Sequence, residues 1–184
     1  MAREIETKCI HLEEKEDSIH HYGAMTYPIY QTATYAHPGV GQSTGYDYSR
    51  LQNPTKEHLE KTVASLENGI NALAFSSGMA AITLMMELFK PGDHLIVDAD
   101  LYGGSIRLFN HVSEKNGIEF SSVACYKENV AGYIRENTKA VYIETPTNPM
   151  MNVTDIKALA EITKEHNLLL IVDNTFLSPY FQNP

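Results

Sequence analysis

The 184-residue sequence has little positive charge, few cysteines and no apolar leader. It contains 14 Lys and Arg against 23 Asp and Glu, which gives a net charge of −9. Because contacts to a nucleic acid backbone require clustered Lys and Arg, this balance argues against a general nucleic-acid binder and favours small-molecule chemistry. Residues 1–17 are charged throughout and provide neither a signal peptide nor a membrane span, so a cytoplasmic setting is expected.

Residues suited to metal binding are also scarce. Cys9 and Cys125 lie far apart and belong to no CxxC pair or Cys/His spacing typical of zinc sites, as expected for reduced thiols. His20 and His21 are adjacent, and two neighbouring side chains do not easily face one ion in regular structure, so both are expected at the surface. The sequence therefore predicts no metal site.

The first third of the chain differs from the rest. Residues 1–53 have little hydrophobic periodicity and many Gly, Pro, Tyr and Thr residues, which predicts an extended arm of the kind that often crosses to a partner subunit. Pro54 suits the first turn of a helix, and apolar residues recur at helical spacing until Asn68 and Gly69 end it. With 43% hydrophobic residues the chain can bury a core, and residues 54–184 are expected to form an α/β domain.

Short apolar stretches alternate with amphipathic segments in this domain. The apolar stretches read NALAF, HLIVDA, IEFSSVA, AVYIE and LLLIVD. The helical segments read SGMAAITLMMELF, SIRLFNHVSEKN, ENVAGYIRE and TDIKALAEITKEH. This alternation predicts a mostly parallel sheet with helices on both faces. Because ligands bind beyond the carboxyl ends of the strands in such sheets, the candidate segments are SSGM, DADLYGG, TPTNP and DNTF.

The segment SSGM suits an anion. Ser77, Gly78 and Met79 stand at a predicted strand-to-helix junction, where free backbone N–H groups and the positive end of the helix dipole favour a phosphate. The segment lacks GxGxxG, GxxxxGKS and GxxxxGKT, so it carries the fingerprint of neither a dinucleotide site nor a P-loop. Plain helix capping is the alternative interpretation.

Two other strand ends carry residues with chemical potential. Asp173 follows the most hydrophobic strand, and its carboxylate could keep a protonated pyridine ring cationic; alternatively it caps the following turn. Tyr102 could stack on a planar cofactor, with Gly103 and Gly104 allowing close approach, or could be an ordinary tyrosine at the edge of the core. Arg107 could bind a substrate carboxylate, or could be a solvated helix residue.

Five motifs occur in order along the chain, namely YDYSRLQNPT, SSGMAA, DLYGG, ETPTNP and VDNTF. Together they resemble the Cys/Met metabolism enzymes of the aspartate-aminotransferase fold, and they span residues 48–176. The resemblance implies a fold type I large domain, truncated before its last strands. It also implies that pyridoxal 5′-phosphate is the cofactor.

The resemblance implies which residues hold the phosphate of this cofactor. Ser77 and the amides of Gly78 and Met79 would bind it at the start of the helix. Tyr48 and Arg50 would complete the phosphate site of a neighbouring subunit, since an Arg beside a phenol makes a good phosphate clamp. The family is usually built as tetramers of close dimers, which implies a homo-oligomer here.

Contacts to the cofactor ring and to the substrate are implied in the same way. Tyr102 would stack on the ring and assist proton transfer, while Asp173 would pair with the ring nitrogen. Asn148 would approach the ring hydroxyl, and Thr175 would support the ring. Arg107 falls at a position that is associated with substrate binding in some members.

The arm also bears on the reaction. The run GVGQSTGYDYSR is most similar to bacterial enzymes that act on an activated homoserine, which are cystathionine γ-synthase and O-acetylhomoserine sulfhydrylase. The expected reaction is therefore γ-replacement, in which α and β protons are removed, the γ ester departs and a thiol attacks. Cystathionine γ-lyase, methionine γ-lyase and cystathionine β-lyase share every motif quoted and remain alternatives.

The sequence departs from the family at its end. The family's Schiff-base lysine lies in an SxTK-type segment downstream of VDNTF, and the sequence reaches Pro184 without one. Lys56, in NPTK, is expected to be a solvated surface residue. The chain could come from a truncated gene, be part of an ordinary enzyme, or be half of a split enzyme. A non-catalytic module that binds a phosphate ligand and a nucleotide-binding domain are the alternatives from other classes.

Overall fold

The computed structural model describes residues 4–12, 22 and 24–184, so His20 and His21 lie outside the described residues. The chain divides into two compact units, Met1–Ala74 and Phe75–Pro184. Each unit has its own helices and its own hydrogen-bond network.

Among its described residues the N-terminal unit has two helices, α1 (Ile5–Lys8) and α2 (Pro54–Leu66). The side chain of Asn53 caps α2 by accepting a hydrogen bond from the Thr55 N–H at 2.9 Å, and Pro54 occupies the first turn as predicted. Just beyond α2, Asn68 has a left-handed backbone conformation with a φ of 51°. The rest of the described unit has turns, bends and the isolated antiparallel bridges Thr34–Tyr48 and Gly39–Gln42.

The C-terminal unit is built on four parallel strands in the order β2-β1-β3-β4, which confirms the predicted parallel sheet. The strands are β1 (His94–Asp98), β2 (Glu119–Val123), β3 (Thr138–Glu144) and β4 (Leu169–Asp173). Strands β2 and β3 lie on opposite sides of β1, so the loops that leave the carboxyl ends of β1 and β3 run in opposite directions. A crevice opens between them, at the position where such sheets bind ligands.

The helices of this unit are α3 (Gly78–Met86), α4 (Gly103–Leu108), α5 (Lys127–Tyr133), α6 (Ile156–Glu165) and α7 (Ser178–Phe181). The helix predicted over SIRLFNHVSEKN begins earlier, at Gly103, and continues from α4 into a π-helical turn at Phe109–Ser113. Phe109 opens this turn and packs in the core against Phe120 and Tyr142. The other predicted helices are present with small differences at their ends.

Alternating side chains of the sheet form two cores, as expected for strands covered on both faces. Leu95, Val97 and Tyr142 pack with Met86 of α3 and with Phe109 of the π-helical turn. On the opposite face Ile96, Val141 and Ile143 pack with residues of α5 and α6, among them Val130 and Leu159. The helices therefore cover both faces of the sheet, as predicted.

The prediction of a strand over NALAF, residues 71–75, is wrong for the described chain. Residues 71–75 form no strand. A strand requires a hydrogen-bonded neighbour as well as apolar side chains, and the described residues supply no neighbour for this segment. Leu73 and Phe75 are accordingly 62% and 41% exposed.

The amino-terminal end of the sheet is organised around a buried histidine. His94 is fully buried, and its ring nitrogens lie 2.8 Å from the Thr138 hydroxyl and 2.9 Å from the Ser121 hydroxyl. Burial lowers the pKa of His94, and the nearby charge of Arg135 adds to this effect, against a smaller opposite effect of Glu119. A neutral imidazole therefore bridges β1, β2 and β3.

Candidate active site

A cavity of about 350 Å³ lies beyond the carboxyl ends of the strands, within the C-terminal unit. Its lining contains seven of the residues selected from the sequence, namely Ser77, Gly78, Met79, Tyr102, Asn148, Asp173 and Thr175. Ile82, Glu144 and Phe176 complete the lining. These residues come from four separate chain segments, so the topology of the sheet brings them together.

One side of the cavity is the beginning of α3. The hydroxyl of Ser77 caps the helix by accepting from the Ala80 N–H at 3.1 Å. Within the described chain the N–H groups of Gly78 and Met79 have no acceptor. Two free amide donors and the positive end of the helix dipole therefore face the cavity, which is the arrangement that binds a phosphate.

Another part of the cavity carries the carboxylate of Asp173, the last residue of β4. Its Oδ1 accepts hydrogen bonds from the hydroxyl and the backbone N–H of Thr175, the latter at 3.1 Å. Its Oδ2 accepts a longer bond of 3.4 Å from the phenol of Tyr142. The alternative role of Asp173 as a turn cap is thus also present, but the side chain is half-buried and still lines the cavity.

Tyr102 stands at the mouth of the cavity, immediately before α4. Its side chain is 45% exposed, and its ring lies against Gly104. A Cβ placed on Gly104 would overlap that ring and would lie 2.8 Å from Sδ of Met79. Because Gly104 has no side chain, the Tyr102 ring and the Met79 side chain can both pack against its backbone.

Glu144 is the principal residue of the site that sequence reasoning missed. It ends β3, is 4% exposed, and accepts a hydrogen bond from the Tyr102 N–H at 2.7 Å. Burial raises the pKa of Glu144, and the charges of Asp173 and Asp100 contribute in the same direction, against hydrogen bonds from the Tyr102 and Asn148 backbone. The site therefore contains two carboxylates side by side.

The sequence model of one protein family, the Cys/Met metabolism PLP-dependent enzymes, matches residues 6–184 of this chain. This chain belongs to that family. The assignment agrees with the resemblance of its five motifs, and the family's cofactor is pyridoxal phosphate.

Curated relatives from Bacillus subtilis illustrate the breadth of this PLP-dependent family. The chain is 49% identical over 189 residues to a cystathionine γ-synthase/O-acetylhomoserine (thiol)-lyase, covering 100% of this chain and 49% of the relative. It is 53% identical over 163 residues to a cystathionine γ-lyase, covering 88% of this chain and 43% of that relative. The chain thus spans about half the length of the curated relatives it matches.

Solved structures of the family share the fold. The crystal structure of MetB from Corynebacterium glutamicum superposes with a TM-score of 0.92 at 42% identity, covering all of this chain and 48% of the other. A cystathionine γ-lyase from Lactobacillus plantarum, complexed with L-serine, gives a TM-score of 0.88 at 42% identity over 97% of this chain and 46% of that one. The observed parallel sheet is therefore part of a fold type I domain.

The chemistry of the cavity fits the family's cofactor. The free amides of Gly78 and Met79 suit a phosphate, and the carboxylate of Asp173 suits a ring nitrogen that carries a proton. Both groups line the same cavity, whose volume lies within the usual range of about 300–1,000 Å³ for small-ligand sites.

Asn148 reaches the cavity from the loop after β3, which is fastened to neighbouring segments. The hydroxyl of Thr147 donates to Asp100, and Asn152 donates to the same carboxylate at 3.1 Å. The hydroxyl of Thr147 also accepts from the Asn152 N–H at 2.9 Å. These bonds hold the TPTNP segment in place, so Asn148 extends from a well-supported loop.

The remaining residues selected from the sequence lie outside this lining. Arg107 is exposed on α4 and does not line the cavity. Tyr48 and Arg50 belong to the N-terminal unit, where the Arg50 guanidinium lies 5.0 Å from the centre of the Tyr48 ring. The described residues contain no cluster of three or more side chains suited to a metal ion, and none of their helices is long and apolar enough to span a membrane.

Proposed function

We propose that this chain supplies the cofactor-binding part of a pyridoxal-phosphate enzyme of trans-sulfuration that carries out γ-replacement on an O-acylhomoserine. The observation that supports the cofactor role is the common lining of one cavity by the Gly78 and Met79 amides and by the Asp173 carboxylate. The arm sequence GVGQSTGYDYSR and the 49% identity to a γ-synthase/(thiol)-lyase support the choice of reaction.

In this proposal each residue of the cavity has one task. Ser77 keeps the first turn of α3 in place, and the Gly78 and Met79 amides bind the phosphate. Asp173 holds the proton on the ring nitrogen, Asn148 donates to the ring hydroxyl, and Thr175 supports the ring and Asp173 together. Tyr102 covers the ring and moves a proton at its phenol oxygen. When bound, pyridoxal phosphate supplies an electron sink for carbanion chemistry.

Residues outside the cavity are assigned from the resemblance of their motifs to the family. Tyr48 and Arg50 are proposed to bind the phosphate of a neighbouring subunit within a homotetramer, and Arg107 to bind the substrate carboxylate. The arm is proposed to comprise residues 1–53, and the enzyme is proposed to act in the cytoplasm. We assign no residue within these 184 positions to covalent attachment of the cofactor.

The cofactor role is tested with 4′-deoxypyridoxine 5′-phosphate, an analogue without the aldehyde. This probe needs no lysine, and its ultraviolet absorption reports protonation of the ring nitrogen. We expect saturable binding that ATP and NAD do not compete for, with the bound ring protonated at neutral pH. Failure to bind, or tighter binding of ATP or NAD, would contradict the proposal.

A γ-lyase activity is the second candidate, because the chain is 53% identical to a cystathionine γ-lyase. The products separate the two reactions when the C-terminal half of a relative is added as a second chain. Cystathionine made from O-acetylhomoserine and cysteine supports γ-replacement, whereas cysteine, ammonia and 2-oxobutanoate made from cystathionine support the lyase. Residues 1–184 alone are expected to bind the analogue without turnover, so turnover by this chain alone would contradict our interpretation.

A further inference from the structure

Glu144 and Tyr102 are joined across the crevice of the sheet, although 42 positions separate them in sequence. The carboxylate is fixed because it ends β3, a strand that is buried on both faces. Its Oε2 accepts the Tyr102 N–H at 2.7 Å, at the short end of the usual range for N–H···O bonds. The loop that follows β1 is thereby tied to the end of β3.

The backbone of Tyr102 is held from its other side as well. Its carbonyl oxygen accepts hydrogen bonds from the N–H groups of Ser105 and Ile106, at 2.9 and 3.2 Å, at the start of α4. Both polar backbone groups of Tyr102 are therefore engaged, one by Glu144 and one by the helix. Among the described residues the phenol hydroxyl of Tyr102 has no hydrogen-bond partner, so the backbone and the contact with Gly104 set the direction of the ring.

A buried carboxylate is a costly choice of acceptor for backbone N–H groups. Glu144 is almost fully removed from water and lies beside the carboxylate of Asp173, both of which disfavour its charged form. A well-packed apolar residue at this position would avoid that cost. The compensating gains visible in the structure are the bond from the Tyr102 N–H and a backbone hydrogen bond from Asn148.

We propose that Glu144 is a positioning residue, whose carboxylate fixes the Tyr102 backbone so that the Tyr102 ring covers the ring of a bound cofactor. This inference rests on the proposed cofactor site. In this proposal the carboxylate of Glu144 orients Tyr102, and the carboxylate of the neighbouring Asp173 pairs with the ring nitrogen of the cofactor.

The test follows the Tyr102 ring directly by ¹⁹F NMR of the chain labelled with 3-fluorotyrosine. The chain has 11 tyrosines, and the resonance of Tyr102 is the one that disappears in Tyr102→Phe. When 4′-deoxypyridoxine 5′-phosphate is added to the wild-type chain, stacking should shift this resonance. Glu144→Leu fills the space without an acceptor, so it should lose the shift and bind the analogue about tenfold more weakly. Glu144→Gln keeps an acceptor oxygen and should retain the shift.

A matched control separates this role from a general loss of stability. Asp93 is also buried, at 7% exposure, and it accepts a backbone N–H, that of Lys90 at 2.9 Å, at the other end of the sheet. Asp93→Leu should lower stability while leaving the Tyr102 shift unchanged. A full shift in Glu144→Leu, or equal losses in the Leu and Gln variants, would overturn the proposal.

The outcomes also distinguish this inference from the proposed function. If the wild-type chain does not bind the analogue, the proposed function fails and this inference falls with it. If the wild-type chain binds and Glu144→Leu behaves identically, this inference alone fails. Should Glu144→Leu not fold, hydrogen exchange of the Tyr102 amide in the wild-type chain decides: protection is expected, and exchange at the rate of an open amide would overturn the proposal.

Discussion

Glu144 and Asp173 are register partners at the carboxyl ends of β3 and β4, yet their carboxylates accept hydrogen bonds from different neighbours. Glu144 accepts from the backbone of Tyr102, whereas Asp173 accepts from Thr175 and Tyr142. Side chains of register partners in parallel strands leave the sheet on the same face. Two acidic groups with separate tasks can therefore stand side by side in one small cavity.

Replacement of Asp173 by Asn should weaken ring recognition with little effect on folding. The amide oxygen of Asn can still accept from Thr175, but it cannot form an ion pair with a protonated ring nitrogen. We expect roughly 10- to 100-fold weaker binding of 4′-deoxypyridoxine 5′-phosphate, measured by absorbance titration. Competition by inorganic phosphate serves as the control, since phosphate binding at α3 should be unchanged. Equal affinity of the variant and the wild type for the analogue would argue against the assigned role.

Removal of the Ser77 hydroxyl should affect both stability and phosphate binding. The cap to the Ala80 N–H at 3.1 Å is lost in Ser77→Ala, which should cost about 0.5–2 kcal/mol in the free energy of unfolding. Asp155→Ala is the matched control, because Asp155 caps α6 through the Ala158 N–H at 3.0 Å and does not line the cavity. Denaturant unfolding should show similar losses in both variants, while affinity for inorganic phosphate should fall in Ser77→Ala alone.

Two adjacent glycines of α4 should respond differently to the same substitution. In Gly104→Ala the new methyl group would overlap the Tyr102 ring and crowd Met79, so the ring must move, at a cost of about 1–3 kcal/mol. In Gly103→Ala the nearest atom is the end of the flexible Arg107 side chain at 3.4 Å, so the better helix propensity of Ala should leave stability unchanged or raise it. The melting temperature and the affinity for 4′-deoxypyridoxine 5′-phosphate are measured for both variants and compared with those of the wild type. A tolerated Gly104→Ala with wild-type binding would refute it.

The buried His94 predicts a loss of stability in mildly acidic solution. Its pKa is lowered in the folded chain, whereas in the unfolded chain it takes up a proton near pH 6.5. The unfolded state therefore binds more protons below that pH, and the free energy of unfolding should fall as the pH drops from about 6.5 to 5, by up to about 1.4 kcal/mol per pH unit.

Urea unfolding at several pH values measures this dependence. His94→Gln should flatten the slope in this range, although it lowers stability at pH 7 because the bonds to Ser121 and Thr138 are altered. His111→Gln, at an exposed position, should keep the wild-type slope. If the slope were the same in the His94 and His111 variants, another group would be responsible.

The sequence predicted the fold where local pattern and tertiary environment agree. The run HLIVD is buried on both faces as β1, and Pro54 begins α2, because each signal depends on neighbours close in sequence. The prediction failed for NALAF, since a strand depends on a partner that no local pattern specifies. The π-helical turn that begins at Phe109 was not predicted either, and the Phe109 ring packs there against Phe120 and Tyr142, which are distant in sequence.

The candidate site was predictable as far as its residues follow strand ends in polar segments. Gly78 and Asp173 were selected from segments expected to follow strands, although the strand predicted before Gly78 is wrong, and Asn148 was selected from the family resemblance. The structure brings all three to one cavity. Tyr142 and Glu144 were missed because they belong to the strand AVYIE itself, where a Tyr and a terminal Glu are indistinguishable from ordinary strand residues. A signal was nevertheless present, since an acidic residue directly after four residues of a buried strand should itself be buried and need a donor.

The two ends of the sheet in the C-terminal unit have different roles. The carboxyl end carries the cavity, and the amino end carries His94 with its hydroxyl partners from β2 and β3. Substitutions that improve heat or acid tolerance can therefore be sought around His94 without redesigning ligand recognition. Conversely, a library confined to the loops after the strands should alter selectivity while the scaffold beneath them keeps its shape.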